Sequence, residues 1–327
     1  MALTLATFNL KDFYLERGFE RELDAKLGWT AAMLLRMNAD VVALQEVGPV
    51  ETLEALLARM PSRGGYGAPV MGTPDARGIR CALLSRVPVV EARVHTTDAL
   101  EFPVFHEGDP PPFGARLPLR RGVVVARIEG DVGGARAEVH VLVAHFKSRR
   151  AVPRRNVAGD VVPSSAPRAR AEAEVRSLVW RAAEALCVRG LVDDALARDP
   201  NAMIAVMGDL NDVLDSTTLR ILMAPRAERG ALSTCSDLVP TAKCFSILHE
   251  GQGAHFDHIL ATSPLRARLR AAHILNEALR EHAPVLSIAN KALAATPSDA
   301  SPAPPSDALP TPPTIDSDHA PFVARFE

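Results

Sequence analysis

The stretch Ala202-Met203-Ile204-Ala205-Val206-Met207-Gly208-Asp209-Leu210-Asn211-Asp212 decides how this chain is read. Its apolar half is short enough to be one buried strand. A glycine, a carboxylate, an apolar residue, an amide and a second carboxylate follow. A buried strand that ends this way carries Asp209 and Asn211 to one edge of a sheet. Residues two apart face the same side for as long as strand geometry persists. A carboxylate beside an amide can hold a water, a leaving group or a hard cation. Asp and Asn also favour turns, so the stretch by itself leaves an ordinary turn open. Asp212 is expected to be a cap or surface residue.

Outward from this stretch the same pattern recurs, an apolar run that stops at polar residues. Residues 3–8 form a strand-like run ending at Asn9. Helical spacing of Leu23, Leu27, Ala31 and Leu34 predicts a helix over residues 19–37. Residues 41–44 are a buried strand ending in Gln45-Glu46, and residues 50–60 are helical. Residues 79–84 and 87–94 read as paired strands around Ser85-Arg86. Residues 122–128 and 138–144 are strands, and the second runs straight into His145-Phe146-Lys147-Ser148-Arg149-Arg150. A helix is predicted from residue 167 to 187, extending to 198, and a short one over 217–223. Residues 255–260 and 272–275 are strands, and Ser317 to Phe326 resumes a strand pattern.

The connections differ in character. Residues 97–121 are Pro-rich, with Phe102, Phe105 and Phe113, and read as a long loop that either walls a site or is an ordinary surface excursion. Residues 149–170 are a basic, Pro-containing loop. Residues 296–313 are low-complexity and cannot bury enough apolar surface to offset ordering, which predicts a disordered loop inside the domain.

The chain has 327 residues, 47% of them hydrophobic, enough for the core of one large domain over residues 1–327. A net charge of -2 leaves no global basic footprint, so contact with a polyanion must come from a local patch. Lys147, Arg149 and Arg150, directly after His145, form such a patch, and Arg121 precedes a neighbouring strand. The four cysteines form no C-x-x-C pair, which excludes a thiolate zinc site and a disulfide framework; Cys81 and Cys187 fall in apolar patterns as core residues. The N-terminus lacks a basic leader, and no apolar run approaches the ~20 residues of a membrane span. The expectation is a soluble, cytoplasmic protein.

The polar residues at the strand ends are Asn9, Glu46, His145, Asp209, Asn211, Asp257, Asp318 and His319. Carboxylates and amides without a cysteine cluster suit an oxygen-seeking cation, Mg²⁺ first, with Mn²⁺ or Ca²⁺ as substitutes. Histidines among aspartates suit acid–base chemistry and phosphate contacts near neutral pH. There is no Gly-rich phosphate loop of the Walker type. His258, next to Asp257, would point away from a site in a regular strand and is read as structural.

The blocks Thr7-Phe8-Asn9, Leu44-Gln45-Glu46-Val47, His145-Phe146-Lys147-Ser148, Gly208-Asp209-Leu210-Asn211, Phe256-Asp257-His258-Ile259-Leu260 and Ser317-Asp318-His319-Ala320-Pro321, in this order, resemble the endonuclease/exonuclease/phosphatase superfamily. That group includes pancreatic-type deoxyribonucleases, abasic-site endonucleases, inositol-polyphosphate 5-phosphatases and bacterial sphingomyelinases. The resemblance implies an α/β fold, a four-layer sandwich of two mixed sheets packed face to face with helices outside. It implies that Glu46 is the principal metal ligand, with Asn9 and Asp318 beside it. It implies that His319 is a general base or electrostatic partner, set by Asp257, and that Asp209 activates the water or protonates the leaving oxygen. Asn211 would hold a phosphate oxygen or the nucleophile, and His145 would contact phosphate. Adjacent strand residues face opposite ways, so Asp318 and His319 can both reach the site only on an irregular backbone.

Ala254-His255-Phe256-Asp257-His258 lacks the Trp and Arg of the phosphoinositide branch, and Phe8 stands where abasic-site endonucleases carry Trp. The late Asp-His-Ile-Leu and the His-Phe-Lys-Ser blocks look more like bacterial deoxyribonucleases. The expected activity is metal-dependent hydrolysis of phosphodiesters in DNA or RNA. A phosphomonoesterase, a small-molecule phosphodiesterase and an inactive binding module remain as alternatives. The expected partner is a nucleic acid substrate, with no membrane and no obligate protein partner, for a monomer.

Overall fold

A near-continuous apolar run marks a strand covered on both faces, because neither side chain direction can then meet water. Most strands here are of that kind. In the computed structural model, which describes residues 2–14, 20–101, 116–156, 158, 160–162, 165–226, 228, 230–249, 251–280 and 316–327, they form two mixed six-stranded sheets and one short hairpin. The expected loop over 296–313 lies outside the described residues, as do Phe102, Phe105 and Phe113.

The first half of the chain contains β1 (Leu3–Phe13), α1 (Glu20–Met37), β2 (Val41–Val47), α2 (Val50–Leu57), β3 (Val70–Met71), β4 (Arg80–Ser85), β5 (Val89–His95), β6 (Val123–Val132) and β7 (Ala135–His145). The second contains α3 (Pro167–Arg198), β8 (Met203–Asp209), α4 (Thr217–Met223), β9 (Leu232–Thr234), β10 (Ile247–His249), β11 (Gln252–Ala254), β12 (Asp257–Thr262), α5 (Ser263–Arg266), β13 (Leu269–Ile274) and β14 (Phe322–Phe326). One sheet has the order β13-β14-β1-β2-β4-β3 and the other β5-β6-β7-β8-β12-β9. β1 and β2 are parallel, as are β7 and β8; every other pairing is antiparallel.

Alternation along each strand sorts side chains between layers. Leu3, Leu5, Val41, Ala43, Leu83, Phe322 and Ala324 of the first sheet meet Val124, Ala126, Val141, Val143, Ala205, Met207 and Ile259 of the second in the central core. The opposite faces are covered by helices. Ala6, Phe8, Leu10, Val42 and Leu44 contact Leu27, Ala31 and Leu34 of α1 and Leu53 and Leu56 of α2. Leu142, Ala144, Ile204 and Val206 contact Ala185, Val188 and Val192 of α3 and Leu219 and Leu222 of α4. The result is the four-layer sandwich the resemblance implies.

One expected pairing does not form. β4 bonds to β2 and β3, whereas β5 bonds to β6 in the other sheet. Ser85-Arg86-Val87-Pro88 is therefore the crossing between sheets. The Arg86 N–H donates to Asp40 O at 2.8 Å and Ser85 Oγ to Val87 O at 2.7 Å, which turns the chain out of the first sheet. Two apolar runs around a short turn signal look like a hairpin, and only the choice of partners tells them apart. Among the described residues, no helix is long and apolar enough to cross a membrane.

Candidate active site

Register brings the strand ends together. His145 lies opposite Asp209 across β7 and β8, and Asp209 lies opposite Asp257 across β8 and β12. In the facing sheet Asn9 pairs with Gln45, and Thr7 with Phe322, so Glu46 and the segment before β14 reach the same edge.

Asp209 is the hub. Its Oδ2 accepts from Asn9 Nδ2 at 2.9 Å and lies 3.4 Å from His145 Nε2 and 3.8 Å from His319 Nε2. Its Oδ1 accepts the Asn211 N–H at 2.9 Å. Glu46 Oε1 is 3.5 Å from Asn9 Nδ2 and 3.9 Å from His145 Nε2, and Oε2 accepts the Asp12 N–H at 2.9 Å. His319 Nδ1 is 2.7 Å from Asp257 Oδ2, and its Nε2 is 4.0 Å from Asp318 Oδ1. All eight expected residues thus gather at one place in the fold, except that Asn211 arrives differently from the expectation. β8 stops at Asp209, and Asn211 has φ +52°, so it enters through a turn. Its Nδ2 donates to Phe146 O at 3.1 Å.

The irregular backbone required for Asp318 and His319 is present: both precede β14, and Ser317 Oγ accepts the His319 N–H at 3.0 Å while donating to Asn9 O at 2.7 Å. Glu46, Lys11 and Asp12 also have positive φ, +58°, +49° and +45°. Non-glycine residues pay about 1–3 kcal/mol for such conformations and keep them where the surroundings over-determine them.

Burial pushes the Asp209 carboxyl up, and it stands at about 7 despite the charge of His319 beside it. Burial also opposes charge on His319, but Asp257, Asp209 and Asp318 outweigh it and hold the imidazole at about 10. His145 lies well below its ordinary value, first through burial, then through the positive charges of Arg121 and His319. At neutral pH the site therefore holds one imidazolium, His319, and one neutral imidazole, His145.

The His319 proton is linked to stability. Folded protein keeps it to about pH 10, whereas the unfolded chain releases it near 6.5. The stabilisation is complete below 6.5 and is lost as pH rises through 10, with a ceiling of about 1.4 kcal/mol per pH unit. In metal-free protein the stability gap between wild type and His319→Asn is expected to shrink from pH 7 to pH 9.5, measured by urea unfolding. A gap independent of pH would contradict the ion pairs described above.

A family model for the Endonuclease/Exonuclease/phosphatase family matches residues 7–319. The chain belongs to this family. No curated protein sequence matches it significantly. Among solved structures it resembles truncated Caenorhabditis elegans TDP2, with 15% identity and a TM-score of 0.56 over 99% of this chain and 97% of that one. It resembles an endonuclease/exonuclease/phosphatase family protein from Bacteroides thetaiotaomicron at 15% identity and a TM-score of 0.58, covering 100% and 96%. A mannosyl-6-phosphatase from the same organism gives 15%, 0.57 and 98% of both chains. At this identity the likeness is one of fold. Endonuclease/Exonuclease/phosphatase proteins are metal-dependent hydrolases acting on phosphoesters.

The residues present fit a divalent cation. The carboxylates of Glu46, Asp209, Asp257 and Asp318 converge at one edge, an oxygen donor set of the kind a hard divalent cation takes. Asp257 Oδ1 is buried without a hydrogen-bond partner among the described residues, and a carboxylate oxygen of Asp209 and one of Asp257 lie within 4.8 Å of each other. Glu46, Asn9 and Asp318 add oxygen donors on the facing sheet.

The basic residues divide into two groups. Arg149 is half exposed, with its guanidinium 5.6 Å from the Phe256 ring centre and 3.7 Å from Asp212 Oδ1, and Arg150 is exposed. Lys147 and Arg121, expected at substrate phosphate, are turned inward. Lys147 Nζ donates to Ser148 O and Arg150 O, both at 2.8 Å, and Arg121 donates to His145 O at 3.2 Å and Phe146 O at 3.0 Å. Their geometry is that of positioning residues for the His145 loop, because a buried donor is best satisfied by the nearest carbonyl.

Asp212 is not a surface cap. It is 2% exposed, and its Oδ2 accepts from Arg181 Nε at 2.9 Å, while Arg181 also donates to Lys147 O at 3.3 Å. His258 is structural as expected, buried with Nε2 2.8 Å from Asp212 O. Lys26 joins the expected residues at this edge: it is 2% exposed, donates to Lys11 O at 2.6 Å and is brought down to about 8 by burial. Its signal was available: Lys26 sits on the stripe of Leu23, Leu27 and Leu34, where a charged residue needs a reason. Lys11, paired with Asp318, carried no signal.

Proposed function

We propose that this protein is a divalent-metal-dependent phosphodiesterase that cleaves nucleic acid, DNA or RNA, with an activated water and no covalent intermediate. The observation that carries the reading is the convergence on Asp209 of Asn9, His145 and a His319–Asp257 pair, with Glu46 of the facing sheet 3.9 Å from His145. Asn9, Glu46 and Asp318 would hold Mg²⁺, or Mn²⁺ or Ca²⁺ in its place, which would neutralise phosphoryl charge and the leaving oxygen.

The side chains then have separate tasks. Asp209, at about 7, exchanges a proton near neutral pH, as water activation or leaving-group protonation requires. His319 is an imidazolium and acts as the electrostatic partner of the phosphoryl oxygens; its charge makes it a poor base. Asp257 orients it through Nδ1. His145, neutral and fixed by the register with Asp209, offers a ring N–H to phosphate. Asn211 holds the turn against Phe146 through its amide Nδ2. Arg149, with an aromatic ring beneath its guanidinium, and Arg150 extend the site toward the flanking phosphates of a polyanion, which supports a nucleic acid over an isolated ester.

The test is a panel of plasmid, linear duplex, single strand, RNA, bis(4-nitrophenyl) phosphate and sugar phosphates at low salt with each metal. Nucleic acid cleavage that EDTA abolishes is expected. Cleavage of small esters but of no nucleic acid would overturn the nuclease reading, and full activity in EDTA would overturn the mechanism.

A further inference from the structure

The order of strands in the two sheets continues the active site by one more rung. In the first sheet β14-β1-β2-β4 brings in turn His319, Asn9, Glu46 and then the turn before β4. In the facing sheet β12-β8-β7-β6 brings Asp257, Asp209, His145 and then the segment before β6. Val47 pairs with Arg80 and Val143 with Val124, so both added segments lie at the edge where the catalytic groups sit.

This rung is made of arginine. Asp75 is buried at 3% side-chain exposure and gathers three guanidiniums: Arg121 Nη1 at 3.5 Å, Arg77 Nε at 3.6 Å and Arg120 Nη2 at 4.0 Å from Oδ2. Its Oδ1 accepts the Arg77 N–H at 2.8 Å, which closes the turn. Asp75 shares these cations with Asp12, which meets Arg77, and with the buried Glu184, whose charge also acts on Arg120. Arg121 is consumed by backbone carbonyls, but Arg77 is 52% exposed and Arg120 26% exposed, and both reach Asp75 only at ion-pair distance. Arg77 Nη1 is also 3.6 Å from Asp12 Oδ1, and the Asp12 N–H holds Glu46, so this guanidinium adjoins the metal-side carboxylate. Arg120 lies 5.4 Å over the Trp180 ring, and the indole Nε1 donates to Pro118 O at 3.0 Å. The ring limits where that guanidinium can point. Among the described residues neither guanidinium donates a hydrogen bond, and a planar fork matches phosphate oxygens.

We propose that Arg77 and Arg120 form a second phosphate subsite beside the reacting phosphate, so that the favoured substrate carries another phosphate one ester unit away. The proposal rests on the phosphodiesterase reading and narrows it to a linear chain of phosphodiesters over an ester with a single phosphate.

The experiment compares wild type with the Arg77→Gln/Arg120→Gln double variant on bis(4-nitrophenyl) phosphate, d(TpT) and d(TpTpT). Wild type is expected to favour d(TpTpT) over d(TpT) by about tenfold in kcat/KM, the scale of losing one charge-assisted hydrogen bond. The double variant should lose that preference while both single-phosphate substrates stay within about twofold, and its salt dependence should flatten. The Arg77→Lys/Arg120→Lys variant should keep part of the preference. No preference in wild type, or an equal loss on all three substrates, overturns the subsite. If wild type hydrolyses none of them with any metal, the phosphodiesterase reading fails. The subsite is then decided by binding of a fluorescent single-stranded oligothymidylate in EDTA, where unchanged affinity in the double variant overturns it.

Discussion

Asp209→Asn is expected to lower kcat by roughly a thousandfold, within the 10²- to 10⁴-fold range of a positioned acid–base group, with a much smaller change in KM. Asparagine has the same shape and can still accept from Asn9 through its carbonyl oxygen. It cannot take or give a proton. The hub position makes this the most damaging isosteric change in the site, because Asn9, His145 and His319 all face the same oxygen. The fold should lose some stability: the new NH2 must face either the Asn211 N–H or Asn9 Nδ2, both donors, and His319 loses an ion-pair partner, which relief of the burial cost on this carboxyl offsets only in part. Initial rates on bis(4-nitrophenyl) phosphate, set beside thermal unfolding of the same preparations, check both halves. A loss under tenfold would remove Asp209 from the chemistry.

Gly208→Ala is expected to be the most destabilising change at the strand end, by more than about 4 kcal/mol. A Cβ on Gly208 would stand 1.8 Å from the carbonyl oxygen of Ala144, a backbone atom that no rotamer change can move. The residue also has φ +149°, which L side chains rarely adopt. β7 and β8 would have to separate where His145 pairs with Asp209, so any folded remainder should have lost activity as well. Gly190→Ala is the control. Its added methyl meets nothing within 4 Å on α3, and it should gain up to about 1 kcal/mol from helix propensity. Denaturant unfolding of the two variants compares them directly. Equal stabilities would mean that the close approach at Ala144 relaxes freely.

These effects show why some features could be read in advance and others not. Strand cores were legible because strands covered on both faces are nearly all apolar, and their ends were legible because Asn9, Glu46, His145, Asp209 and Asp257 interrupt that pattern abruptly. The charged stripe residues Lys26, Arg181 and Glu184 left a weaker trace, since a buried charge at helical spacing looks like a flaw until its partner is found. Lys11, Asp12 and Asp75 left none: their roles depend on positive φ or on partners far along the chain. Partner choice also reversed local expectations. The runs on either side of Ser85-Arg86 went to different sheets, and Asp212, expected at the surface, was drawn inside by Arg181.

By itself the sequence determined the alternation of strands and helices and the set of oxygen and imidazole groups that end those strands. Each of these is a local property, set by side chain volume, backbone freedom or chemical type. Only the tertiary structure decided that His319 is charged and His145 neutral, that Lys147 and Arg121 face inward, and that arginines extend the row. Charge state and direction depend on the sum of burial and neighbouring charges. Gly208 brings β8 against β7, yet the surroundings of the Asp209 carboxyl one residue later belong to groups brought from the far ends of the chain.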